Sequence, residues 1–107
     1  MAYKRKHHRL PIECQGDAHR TGEDIFCRVV NLCEQGMLLS PATPLTVGEE
    51  LPFDFGLGKS RQIHCTIKIA RAVKSDFGAQ IVAISPEDQR YLAEHLDDFV
   101  ANNFGRY

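Results

Sequence analysis

From residue 62 to residue 69 the chain alternates strictly, with Ile63, Cys65, Ile67 and Ile69 on one side and Gln62, His64, Thr66 and Lys68 on the other. A period of two is the pattern of a half-buried β-strand, and this one is expected to run on to Arg71. Leu51, Phe53 and Phe55 repeat it. Further strands are expected over 12–15, 24–32, 37–40 and 77–83, about six in all. Gly16, Gly22, Gly36, Pro41, Pro44, Gly48, Gly56 and Gly58 punctuate the intervals, as turn residues do in antiparallel structure.

The period changes after Ile84. Ser85 suits an N-cap, Pro86 suits the first helical position, and Asp88 completes a weak capping box. The spacing predicts a helix over 86–103 whose apolar stripe is Leu92, Leu96, Phe99 and Val100. Glu87, Asp88, Glu94, Asp97 and Asp98 are expected on its exposed side. The fold class that follows is mainly β: a six-stranded antiparallel β-barrel with a C-terminal α-helix packed over one opening or face. Closure is favoured because it removes exposed strand edges.

A length of 107 residues allows one domain, 1–107, divided into a basic N-terminal arm (1–10), the barrel (12–83) and the helix (86–103). No apolar run is long enough to span a membrane, and the basic start lacks the apolar segment of a secretory signal. A cytoplasmic location is therefore expected. Cys14, Cys27, Cys33 and Cys65 form no CxxC pair, which favours free thiols. His7, His8, Cys14 and His19 lack the paired spacing of a structural zinc site, so no metal is expected. No nucleophile, base and orienting group stand at a recognisable local spacing, so neither is an enzyme. A single-stranded nucleic-acid barrel would suit the basic arm, but the sheet carries no basic and aromatic surface pattern.

Charge is placed rather than spread. The net formal charge is -1, yet the first ten residues hold Lys4, Arg5, Lys6 and Arg9 and no acid. In an extended arm Arg5 and Arg9 face the same side, up to about 13 Å apart. A guanidinium can bond guanine O6 and N7 bidentately, pair with phosphate, or stack on a base. Twenty-two residues after Arg9, Asn31-Leu32-Cys33-Glu34-Gln35-Gly36 reads as the turn between two strands. There Asn31 offers amide donors and an acceptor, and Gly36 permits a positive φ or a close approach of backbone to a ligand.

These residues carry a family resemblance. Arg5-Lys6-His7-His8-Arg9 matches the RxxxR motif of PilZ domains, and Asn31 to Gly36 resembles their [DN]xSxxG motif, with Cys33 in the serine place. Val47 to Leu51, the strand ending at Arg71, and Phe77 to Ile81 follow in the family's order, so the resemblance covers nearly the whole chain. It implies a six-stranded barrel with a flexible N-terminal arm and, as in many bacterial members, a receptor for cyclic di-GMP. Arg5 and Arg9 would contact guanine and phosphate, Asn31 a guanine edge, and Gly36 would let backbone close on the ligand. Cys33 would stand beside them, with Lys4 and Arg71 as further contacts. A thiol is the weaker donor, and losing a hydrogen bond to a charged group would cost roughly ten- to a hundredfold in affinity.

The function so implied is a receptor that relays the level of a second messenger to an unidentified protein partner through ordering of its arm. Motility, biofilm polymer secretion and virulence are the outputs the family implies. The alternative is a degenerate PilZ scaffold acting as a ligand-independent protein-interaction adaptor. No cofactor besides the ligand is implied, and stoichiometry and oligomeric state stay open.

Overall fold

A computed structural model describes residues 10–58 and 61–103. The expected arm, apart from Leu10, falls outside them. The element order is β1 (Cys14–Arg20), β2 (Glu23–Leu32), β3 (Gly36–Pro41), β4 (Glu50–Leu57), β5 (Arg61–Val73), β6 (Asp76–Ile84) and α1 (Pro86–Asn103). The strands close into an antiparallel barrel in the order β1-β2-β3-β6-β5-β4, with β4 returning to β1. The expected six-stranded barrel with a terminal helix is thus the fold.

Alternation makes the barrel. Ile25, Cys27 and Val29 on β2, Met37 and Leu39 on β3, Leu51, Phe53, Phe55 and Leu57 on β4, and Ile63, Cys65, Ile67 and Ile69 on β5 all point inward. Phe53 and Phe55 stack with ring centroids 5.7 Å apart. Each such side chain contributes roughly 1.5–3 kcal/mol on burial, which is ample for a small domain. The four cysteines are unpaired. Burial pushes the thiols of Cys14 and Cys27 up to about 11 and that of Cys65 up to about 12, so they behave as small apolar groups.

The first strand departs from expectation. It runs over 14–20 rather than 12–15, and its inward positions are Cys14, Gly16 and Ala18. Small residues are required because β1 packs against the two phenylalanines. A Cβ on Gly16 would sit 2.7 Å from Phe53 Cζ and 2.5 Å from the Asp54 carbonyl oxygen. Ile12, expected in the strand, is buried just before it.

The helix starts as its cap predicts: the Asp88 amide donates to Ser85 Oγ at 3.1 Å, and the Gln89 amide to the Ser85 carbonyl at 2.8 Å. Leu92 and Leu96 join the barrel core, with Phe99 and Val100 half-buried against it. Asp88 is the correction on this helix. Instead of facing solvent with the other acids it is buried, and its carboxylate accepts from Arg61 Nη2 at 2.8 Å and from the His64 amide at 3.1 Å. Burial alone would raise this carboxyl; the hydrogen bonds outweigh it and hold Asp88 below its ordinary value. No helix among the described residues is long and apolar enough to cross a membrane.

Candidate functional site

Two β-bulges set up the outer face of β2, β3, β6 and β5. On β2 the inward positions are odd-numbered up to Val29, so Asn31 would point inward if the ladder were regular. The register instead slips between Val29 and Asn31: Val29 pairs with Leu39 and Asn31 with Leu38. Val30 is the extra residue, Leu32 takes the inward place, and Asn31 is turned outward beside Leu38. On β5 the same thing happens. Ile69 pairs with Ala79 and Arg71 with Gly78, so Ala70 is extra and Arg71, which would have continued the inward row, is exposed. Re-aiming a side chain in this way is a recurrent use of bulges beside functional sites.

The consequence is one continuous row. Asn31 pairs with Leu38, Leu38 with Gly78, and Gly78 with Arg71, across four adjacent strands. The Oδ1 of Asn31 is buried and accepts no hydrogen bond among the described residues. A buried acceptor without a partner costs roughly 1–3 kcal/mol, so an incoming N–H donor would be well rewarded there. Arg71 makes no ion pair among the described residues, and its stem lies across the bare backbone of Gly78.

The remaining expected site residues fall around this row. Cys33 is buried at 6% exposure, and its amide donates to the Gly36 carbonyl at 2.9 Å, closing the β2–β3 turn. Gly36 is explained by packing: a Cβ there would meet the Ala79 carbonyl oxygen, so glycine lets β3 approach β6. Its φ is not positive, unlike those of Gly22, Gly48 and Gly58. Leu10 pairs with Leu32 through amide-to-carbonyl bonds of 2.9 and 3.0 Å, so the first described residue lies against the strand end that carries Asn31. Lys4, Arg5 and Arg9 lie outside the described residues. Sequence reasoning missed Leu38 and Gly78, although a glycine inside a strand pattern signals a close approach.

The outer side of β1, the start of β2, β4 and β5 is finished differently. His19 Nδ1 bonds Asp24 Oδ1 at 2.7 Å and its Nε2 bonds Asp54 Oδ2 at 2.7 Å, while His64 Nδ1 bonds the other oxygen of Asp54 at 2.6 Å. Only an imidazolium donates from both nitrogens. Hydrogen bonds from His19 to Asp24 and then Asp54 accordingly raise its affinity for the proton. These contacts consume the polar groups, and no cluster among the described residues has the geometry to hold a metal ion. An open cavity of about 530 Å³ lies elsewhere, between Ile12–Gln15, Gly56–Gly58, Gln62 and His95. Among the described residues no Lys or Arg lines it.

A family model described as PilZ domain matches residues 3–98. Among solved structures, the Bacillus subtilis inhibitor of motility MotI/DgrA superposes with a TM-score of 0.77 at 21% identity, over 89% of this chain and 50% of that one. The chain therefore spans about half the length of that protein. The PilZ domain of CeSA from a cellulose-synthesizing bacterium superposes with a TM-score of 0.66 at 10% identity, over 86% of this chain and 97% of that one. At such identities the likeness bears on the fold. No curated protein matches the sequence significantly.

Proposed function

The chain belongs to the PilZ domain family, and from that premise we propose that it is a receptor for cyclic di-GMP which passes the signal to a protein partner. The observation that carries the proposal is the row from Asn31 to Arg71, where an acceptor and a guanidinium, both without a partner among the described residues, share one outer face near Leu10. Guanine offers N–H donors on its Watson–Crick edge to an acceptor such as Asn31 Oδ1. The two phosphodiesters of the ligand call for cations, which Arg71 and the arm residues Arg5 and Arg9, with Lys4, would supply. Gly36, which lets β3 approach β6, would also let the backbone of the turn close on the ligand.

Binding would order the arm over the ligand and change the surface offered to a partner, a disorder-to-order switch. Control of motility is the output suggested by the Bacillus subtilis protein, which is named for inhibiting it. The chemistry needed is recognition, with no catalytic step. Calorimetric titration of cyclic di-GMP into the protein, repeated on Arg9→Ala, tests the proposal: saturable heat lost in the variant supports it, and no heat at high micromolar ligand refutes it.

A second reading is a scaffold that works as a protein-interaction adaptor without ligand. It is favoured by the buried thiol of Cys33 where the motif has a hydroxyl. If the thiol is what weakens the site, Cys33→Ser tightens nucleotide binding by about tenfold; an unchanged isotherm removes that explanation.

A further inference from the structure

Gly78 is the one position in the four-residue row with no side chain, and its neighbours show what the space is used for. A Cβ built there would stand 3.2 Å from Arg71 Nε, 3.3 Å from its Cγ and 3.8 Å from its Cδ. The stem of Arg71 is therefore folded down onto the β6 backbone along most of its length, in the place a Gly78 side chain would take. On the far side of Gly78 stands Leu38, and beyond it Asn31 with its unpartnered oxygen. Neighbouring strands are about 4.8 Å apart, so Gly78 leaves a floor roughly 10 Å wide between Leu38 and the backbone of β5.

We infer that Gly78 is a positioning residue that seats Arg71 flat on the sheet, so that its guanidinium plane forms a stacking platform for a planar purine base whose edge reaches toward Asn31. This rests on the nucleotide reading and adds to it the residue that orients the platform. A guanidinium works here through its flat, weakly hydrated faces as well as its charge, and an ammonium cannot replace the faces. Any larger residue at 78 lifts Arg71 off the sheet. The bulge at Ala70 turns Arg71 outward, and Gly78 then sets how it lies.

The test uses Gly78→Ala and Arg71→Lys in the full chain, with two readouts. In thermal unfolding Gly78→Ala melts at or above the wild-type temperature, because glycine inside a strand is unfavourable and only a flexible side chain must move. Without nucleotide, the Arg71 Nε–Hε resonance shifts and gains mobility in Gly78→Ala. With cyclic di-GMP, both variants lose about tenfold in affinity, although Arg71→Lys keeps the charge. An unmoved Arg71 resonance in Gly78→Ala overturns the seat, and a Gly78→Ala or Arg71→Lys isotherm matching wild type overturns the platform. A wild-type protein that gives no binding heat defeats the nucleotide reading and the platform with it, while the resonance still decides the seat.

Discussion

Across the outer side of β1, β2, β4 and β5, His19, Asp24, Asp54 and His64 spend their hydrogen-bonding capacity on one another. On the outer face of β2, β3, β6 and β5, Asn31 has a buried oxygen with no partner and Arg71 has no counter-ion among the described residues. Both faces belong to the same barrel and share β2 and β5. A polar group that is fully partnered holds strands together, whereas one left unpartnered at a cost in stability is kept for something that comes and goes. The first face is a staple by this criterion, and the second is the face proposed to take the ligand.

The strongest way to break the contrast is through the backbone that supports the second face. Gly36→Ala would push a methyl into the Ala79 carbonyl and force β3 from β6. A loss of about 3 kcal/mol, or roughly 10–20 °C in the melting temperature, is expected by thermal unfolding. A variant that melts like wild type would mean that the glycine is there for the ligand and not for the strands.

Next in size is a crossed pair of substitutions. Asn31→Ala removes an unsatisfied acceptor, so its melting temperature should stay within a few degrees of wild type while affinity for cyclic di-GMP falls by about ten- to a hundredfold. Asp54→Ala should do the reverse, costing about 1 kcal/mol of stability with binding unchanged, since its two histidine bonds are partly exposed to solvent. Chemical denaturation and calorimetry on both proteins read the four outcomes. The same sign in both columns for either variant would erase the distinction between staple and site.

The smallest effect sharpens the staple itself. Asp24 and Asp54 raise the proton affinity of His19 in the folded protein. A group whose value is raised by folding contributes its full stability below its ordinary value and loses it as pH rises through the raised one. Burial would raise Asp54, but the bonds from His64 and then His19 hold it lower; its contribution is present above the ordinary carboxylate value and lost as pH falls through the lowered one. Stability should therefore peak in the mildly acidic range. Denaturation curves between pH 4 and 9 on wild type and His19→Ala check this, with the decline on the alkaline side flattened in the variant.

The parts of the fold legible in the sequence are those where one residue type repeats at one period. Ile63, Cys65, Ile67 and Ile69 announce β5, and Ser85 with Pro86 announces α1 to the residue. β1 is hard to place from the sequence because its inward residues are Cys14, Gly16 and Ala18, small to suit Phe53 and Phe55 and so without an apolar alternation. Asp88 reads as a surface acid because its partners, Arg61 and the His64 amide, lie on a strand far away in sequence. For the site, the motif marked Asn31, Cys33 and Gly36 as a group. What it could not carry was the side of the sheet on which each would lie, since that depends on the extra residues Val30 and Ala70. A bulge exists only in the pairing of two strands, and a single strand read alone places both Asn31 and Arg71 inside the barrel.

The most direct measurement is a titration of cyclic di-GMP into isotopically labelled protein, followed through the amide and side-chain resonances. Shifts should concentrate at Asn31–Gly36, Leu38, Arg71 and Gly78 and in residues 4–9, with His19, Asp54 and His64 unmoved. Shifts centred on the His19–Asp54–His64 face, or no shifts at saturating ligand, would contradict the assignment of the two faces.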